Sequence, residues 1–258
     1  MFEKSREKLE SLSLIDGHAH LDQVGDLSAS LQDARAFGVA GIVAVGMGVE
    51  SNQRTLEIAR EHPGYVHPAL GYHPWEIDEK EAEKNLSFIR NHLEGCVAVG
   101  EIGLDYKVKV KKELQRKVFG TLLDIAREYE KPVILHCRFS HPDALKMVRE
   151  RGIGQAVFHW YSGSLSTLEE IIGLGYFISA TPALRYSPSH QEAIRRTPLE
   201  RLLLETDAPV NYQGLEAGPK DVRISAEEVA RLKGLSIEEV SKQTTLNACR
   251  FFRIPSPG

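Results

Sequence analysis

Short apolar runs alternate along this chain with longer stretches in which apolar positions recur at helical spacing. The first run is Leu14–His20, followed by an amphipathic stretch near Ser28–Phe37. Then come Gly41–Gly46 with a helix from Ser51 to about Glu61, Tyr65–Gly71 with a helix about Glu79–Glu94, and Cys96–Glu101 with a helix over Glu113–Glu130. The second half repeats the alternation. Pro132–His136 precedes a helix about Pro142–Arg151, Gln155–His159 precedes Ser166–Leu174, and Tyr176–Ala180 precedes Pro188–Arg195. An eighth run, Arg201–Asp207, is followed by a mostly helical remainder ending in Asn247–Phe252. Ile42-Val43-Ala44-Val45, Val133-Ile134-Leu135 and Leu202-Leu203-Leu204 are continuous apolar runs, the pattern of parallel strands covered on both faces. Eight strand–helix units in a row predict an α/β fold, a (β/α)8 TIM barrel of parallel strands with outer helices. An open doubly wound sheet usually has fewer strands and often a Gly-rich dinucleotide loop, and no such loop or P-loop pattern occurs here. No linker or break in composition divides the chain, and 258 residues suit a barrel as one domain, 1–258.

A barrel of this kind carries its chemistry at the C-terminal ends of its strands. Six potential metal ligands stand there: His18 and His20 after the first strand, Glu101 after the fourth, His136 after the fifth, His159 after the sixth and Asp207 after the eighth. In an extended strand residues i and i+2 share a face, so His18 and His20 point the same way. Each alone has a plain explanation as a polar strand end, but their convergence marks metal or catalytic chemistry. Imidazole and carboxylate without thiolate suit Zn, Mn, Fe or Mg more than a soft ion. Six protein ligands are too many for one catalytic zinc and suit two ions about 3.5–4 Å apart with a bridging carboxylate, for which Glu101 is the candidate.

Composition narrows the setting. Hydrophobic residues make up 42% and charged residues 26%, as in a soluble globular protein. No apolar run approaches the ~18 residues of a membrane span, and Met1 to Leu12 lack a signal-peptide core. Cys96, Cys137 and Cys249 are odd in number and widely spaced, which points to reduced thiols and a cytoplasmic protein. A net charge of -4 gives no global attraction for nucleic acid, so phosphate binding would have to be local.

Several motifs follow one another in order: Asp16-Gly17-His18-Ala19-His20-Leu21-Asp22, Gly71-Tyr72-His73-Pro74, Gly100-Glu101-Ile102-Gly103-Leu104-Asp105-Tyr106, His136-Cys137-Arg138, His159-Trp160-Tyr161-Ser162-Gly163 and Glu205-Thr206-Asp207-Ala208-Pro209. With the closing Asn247-x-x-x-Phe251-Phe252, this series resembles the TatD family of metal-dependent deoxyribonucleases, amidohydrolase-like barrels, over nearly the whole chain. The resemblance implies one divalent ion held by His18, His20, Glu101 and Asp207 and a second by Glu101, His136 and His159. It also implies phosphodiester hydrolysis with nucleic acid as substrate. Two departures bear on the substrate. After Pro209 the family usually has a loop rich in Pro, Arg, Gly and Asn, whereas this chain reads Val210-Asn211-Tyr212-Gln213-Gly214; after Arg138 an acidic residue is common, whereas Phe139-Ser140 follow here.

Two ions lower the pKa of a water between them and neutralise charge on phosphoryl oxygens. Asp207 is the candidate catalytic base beside its ligand role, with Glu101 as the catalytic bridge. Glu205 shares a strand face with Asp207 and is expected to hydrogen-bond a ligand histidine. His73 faces the same mouth, as a phosphate or third-metal contact or as a structural histidine. Arg138 offers a bidentate fork for phosphate or a surface salt bridge. Lys107, Lys109, Lys111 and Lys112 either collect a polyanion or are solvated surface, and Trp160 and Tyr161 either stack on a base or pack the loop. Cys137, next to His136, points away from the interior and packs, and Arg195-Arg196 lie at the opposite end. The same metal pair serves other bonds: a cyclic amide, a phosphotriester or an aminoacyl-tRNA ester. A non-catalytic module on an enzyme barrel would be expected to lack a ligand, and none of the six is missing. The sequence is silent on oligomeric state.

Overall fold

In the computed structural model, residues 12–257 are described; the polar stretch read at the N-terminus lies outside them except for Leu12. The eight apolar runs form one parallel sheet in sequential order. Its strands are β1 Leu14–Ala19, β2 Val39–Val45, β3 Val66–Tyr72, β4 Ala98–Asp105, β5 Val133–Arg138, β6 Ala156–Phe158, β7 Phe177–Ala180 and β8 Leu202–Leu204. Helices α1 Leu27–Ala36, α2 Val49–Glu61, α3 Ala82–His92, α4 Lys112–Glu128, α5 His141–Glu150, α6 Leu165–Gly173 and α7 Pro188–Arg196 connect them. Strands and helices alternate as the pattern predicts.

The barrel closes between its last and first strands. Asp207 N–H donates to His18 O at 2.9 Å and His20 N–H to Ala208 O at 2.8 Å. Beneath these bonds the fully buried Asp16 carboxylate accepts from Thr206 N–H at 2.9 Å and from the Thr206 hydroxyl at 2.6 Å. The seam is thus stitched by the residues flanking the candidate ligands.

Two apolar layers fill the fold. One lies between sheet and helices, where α4 buries Val118, Phe119, Leu122, Leu123 and Ile125 along one face. The other is the barrel interior: Ile15, Val43, Ala69, Ala98, Ile134, Val157, Phe177 and Leu203 cluster with Phe251 and Phe252. Those aromatics belong to the last helix, α9 Ile237–Phe252, which follows α8 Val222–Lys233. Helix α9 starts on a capping box, with Ser236 accepting from Glu239 N–H and the Glu239 carboxylate accepting from Ser236 N–H. Asn247 fixes it to the barrel floor by donating Nδ2–H to Leu199 O at 2.8 Å and Leu202 O at 2.9 Å. Truncating a buried Phe such as Phe251 costs about 3–5 kcal/mol by the usual cavity penalty.

The ends of the elements depart from the expected ones. The eighth strand, expected over Arg201–Asp207, is regular only over Leu202–Leu204; Glu205 N–H still donates to Ala180 O and Asp207 N–H to His18 O, with Asp207 at a left-handed φ of 52°. The chain beyond is not uniformly helical. A two-stranded hairpin, β9 Asn211–Tyr212 and β10 Leu215–Glu216, and a 3-10 turn at Pro219–Asp221 come before α8. Among the described residues, no helix is long and apolar enough to cross a membrane.

Candidate metal centre

The predicted ligands come from the barrel strands or the residues just past them, with one correction: the fourth strand, expected to end at Glu101, continues to Asp105, so Glu101 lies inside it, and Asp207 stands three residues beyond β8. β1 presents His18 and, one residue past its end, His20. β4 presents Glu101, β5 presents His136, and His159 follows β6 directly. Pairing registers shift between Asp16 and Ala19 in β1 and between Val99 and Ile102 in β4. Such irregularities re-aim side chains next to a site. Close approach to Glu101 also requires a glycine at position 71, where a Cβ would lie 2.3 Å from the Glu101 backbone N.

The structure brings all six side chains to one mouth, mostly buried. Glu101 lies between two groups. Its Oε2 is 3.4 Å from His18 Nε2 and 3.3 Å from His20 Nε2. Those two nitrogens are 3.2 Å apart and lie 3.4 and 3.5 Å from Asp207 Oδ1. Its Oε1 is 2.8 Å from His136 Nδ1 and 2.9 Å from His159 Nε2, which are 3.4 Å from each other. The first four atoms have the spacing of a metal polyhedron. Ligands at about 2.0–2.1 Å from a tetrahedral centre are about 3.3–3.4 Å apart. His18, buried, has no hydrogen-bond partner for its Nδ1, so its only polar contacts lie on that side. The donor set fits two divalent ions sharing one carboxylate.

Neighbours orient the imidazoles. His20 Nδ1 is 3.0 Å from Val45 O, an acceptor that places the ring proton there and leaves Nε2 free as a donor atom. His159 Nδ1 is 3.3 Å from Glu205 Oε1, the role expected of Glu205, and Trp160 N–H donates to the same oxygen at 3.0 Å. His136 is held from behind by Asp105, whose Oδ2 is 3.3 Å from Nε2.

Charge is tightly balanced. Against the burial that would lower it, the Asp207 and Glu101 carboxylates push the His20 imidazole up to about 10. Burial likewise opposes, and Glu101 and Glu205 overcome it at, His159, which is raised well above its ordinary range. His136 is raised against its burial by Asp105 and Glu101. The imidazoles in turn hold Glu101 well below the usual carboxylate range despite full burial, and Asp207 is lowered the same way by His20 and His18. Protons and a divalent cation compete for this one anionic cluster.

The family model for TatD related DNases matches residues 15–253. The chain belongs to that family. It is 32% identical over 258 residues to a zebrafish protein named putative deoxyribonuclease tatdn3, covering 92% of this chain and 96% of that one. It is 31% identical to YabD of Bacillus subtilis, named an uncharacterized metal-dependent hydrolase, covering 93% and 99%. The crystal structure of YjjV, a TatD homologue from Escherichia coli, superposes with a TM-score of 0.86 at 32% identity, covering 94% and 98% of the two chains.

The remaining residues singled out in the TatD motifs divide. His73 is buried, and burial lowers its pKa to about 4. Its Nδ1 accepts from Trp75 N–H at 3.2 Å, so the neutral ring carries its proton on Nε2, 3.5 Å from Glu101 Oε1. His73 also groups with Glu101 and His136 closely enough to hold a cation, so the metal-contact and structural readings both keep a geometric basis. Arg138 is exposed and has no carboxylate within ion-pair distance among the described residues, which removes the salt-bridge alternative. Lys107, Lys109 and Lys111 are likewise exposed, and Lys112 sits 4.3 Å over the Tyr106 ring. Tyr161 is fully buried and donates to Ser164 O, a packing role; Trp160 rests against Tyr212 with ring centroids 5.2 Å apart. Cys137 packs against the outer core, and Arg195 and Arg196 pair with Glu192 on α7.

Sequence reasoning missed three residues. Asp105 is fully buried behind His136, and its carboxyl is held well below the ordinary range, against burial, by bonds from His136 and Trp75. Its spacing from Glu101 on one strand, an even number of residues, was the available signal. Asp16 stood inside a quoted motif and Trp75 directly after one, with nothing in their spacing to mark them.

Proposed function

We propose that the protein is a divalent-metal-dependent phosphodiesterase, a nuclease acting on DNA or RNA. His18, His20, Glu101 and Asp207 would hold one ion, and Glu101, His136 and His159 a second. The reading is carried by Glu101, whose two oxygens each face a separate set of nitrogen donors. The mixed imidazole–carboxylate set suits Zn, Mg or Mn. Two such ions, when bound, lower the pKa of a water and neutralise charge gathering on the phosphoryl oxygens.

The chain's own groups do the rest. Asp207, whose carboxyl His20 and His18 hold below its ordinary range against burial, is the group placed to accept a proton from the attacking water. Glu205 keeps His159 in one orientation, and Asp105 does so for His136. His73 donates toward Glu101 and steadies it. Arg138 and the exposed lysines after β4 offer phosphate contacts that the net charge of -4 does not supply. Three free cysteines, with the Cys96 thiol pushed up to about 12 by burial, support a reducing, cytoplasmic setting.

The test is a labelled 3′-tailed DNA and RNA oligonucleotide incubated with Mg, Mn or Zn. Shortening under at least one metal, lost in Glu101→Ala together with bound metal, is the expected result. Intact DNA and RNA under all three metals would count against a nuclease and favour a different scissile bond.

A further inference from the structure

Trp75 stands on the loop between β3 and α3, and 52% of its surface is exposed. That exposure is unusual for so large an apolar ring. Its position is nevertheless fixed. Nε1–H donates to Asp105 Oδ2 at 2.7 Å, the same oxygen that lies 3.3 Å from His136 Nε2. The indole meets His73 edge-on at 4.8 Å and 88°, and His136 at 5.9 Å and 78°. The one polar atom of the ring is therefore turned inward and used. What it shows to solvent beside the cluster is a bare aromatic surface.

Asp105, which holds the indole, pairs in register with Arg138 of the next strand. β5, which carries His136, ends in Arg138, an exposed cation with no carboxylate partner among the described residues. Phe139 follows, 74% exposed. A rigid aromatic face beside a phosphate-seeking centre, with a free guanidinium on the β5 residue paired with Asp105, has the makings of a single-nucleotide subsite. The fold covers about half of Trp75, through its N–H and its ring contacts with His73 and His136, and leaves the other half open.

Resting on the nuclease reading above, we propose that the outer face of Trp75 stacks on the nucleobase adjoining the scissile phosphate and sets the preference for a substrate bearing a base there. Arg138 takes a neighbouring phosphate. Aromatic stacking on a base is strong enough to change binding about tenfold or more.

The experiment compares two single-stranded oligonucleotides, identical except that one carries an abasic residue at the cleaved position. Expected is a KM about tenfold lower for the oligonucleotide with the base. Trp75→Ala abolishes that difference, and Trp75→Phe, which keeps a ring but loses the bond to Asp105, retains most of it. A loss in Trp75→Ala that is equal for both substrates would overturn the proposal, as would an undiminished preference. If the wild-type protein cuts neither, the nuclease reading fails, and stacking is then decided by binding. The chain has two tryptophans, so Trp160→Phe leaves Trp75 as the sole indole. Quenching of its fluorescence by deoxyadenosine monophosphate but not by deoxyribose 5-phosphate supports the subsite; equal response to both, or none, refutes it.

Discussion

Removing the Asp16 carboxylate should loosen the barrel at its seam. The side chain is fully buried and accepts two short bonds from Thr206, at 2.9 Å from N–H and 2.6 Å from the hydroxyl. A third, longer contact comes from His18 N–H at 3.4 Å. Asp16→Ala leaves both Thr206 donors buried without an acceptor. At about 1–3 kcal/mol for each such group, the expected loss is about 4 kcal/mol. Set against the about 5–15 kcal/mol that holds a typical domain together, that is a large share. Asp16→Asn behaves differently. The amide oxygen keeps the bond from Thr206 N–H, and only the contact with the Thr206 hydroxyl is given up. Its expected loss is about 1 kcal/mol. Urea unfolding followed by circular dichroism, with a chelator present so that no ion contributes, measures both. Asp16→Ala within about 1 kcal/mol of the wild type, or Asp16→Asn as damaging as Asp16→Ala, would refute the reasoning.

Three further outcomes follow from the same geometry. Glu101→Gln keeps the shape but removes the charge facing His18, His20, His73, His136 and His159; elemental analysis should find less than one ion per chain, and full metal content would contradict a bridging role. Asp105→Asn frees His136 Nε2 from its carboxylate and should weaken metal binding about 10- to 100-fold by calorimetry, with unchanged affinity as the contrary result. His190 is buried, donating to Tyr161 O and accepting from Thr181 N–H, and burial lowers its pKa to about 4. Between its unfolded value of about 6.5 and pH 4, the unfolded chain takes up a proton that the folded one refuses. Stability is therefore full above pH 6.5 and falls by about 3 kcal/mol on the way down to pH 4. His190→Gln should flatten that slope in denaturation curves; an unaltered slope means the histidine titrates freely in the fold.

Much of the architecture could be read in advance because parallel strands buried on both faces leave continuous apolar runs. Ile42-Val43-Ala44-Val45 lies wholly within β2, and Leu202-Leu203-Leu204 is β8. The strand ends were harder. A period-two rule put Glu205 and Asp207 on one face, yet the left-handed Asp207 breaks the strand, and the two carboxylates reach different histidines: His159 for Glu205, His18 and His20 for Asp207. The hairpin after Pro209 turns on Gln213-Gly214, both at positive φ, a weaker signal than Asn-Gly. Candidate ligands were visible as polar residues closing apolar strands. Among their supports Glu205 was legible from its strand face and Asp105 could have been, from its even spacing to Glu101, but Asp16 and Val45 O act through contacts between segments distant in sequence, and no spacing within one segment encodes those.

The two halves of the seam come from residues 190 positions apart, Asp16 on one side and Thr206 on the other. During synthesis His18 and His20 emerge early, while Asp207 arrives only after all eight barrel strands have been made. A partial chain can offer nitrogen atoms to a cation but cannot surround it. The cation site is therefore completed only once the eighth strand has been made, and a chain cut before Asp207 lacks one of its six candidate ligands.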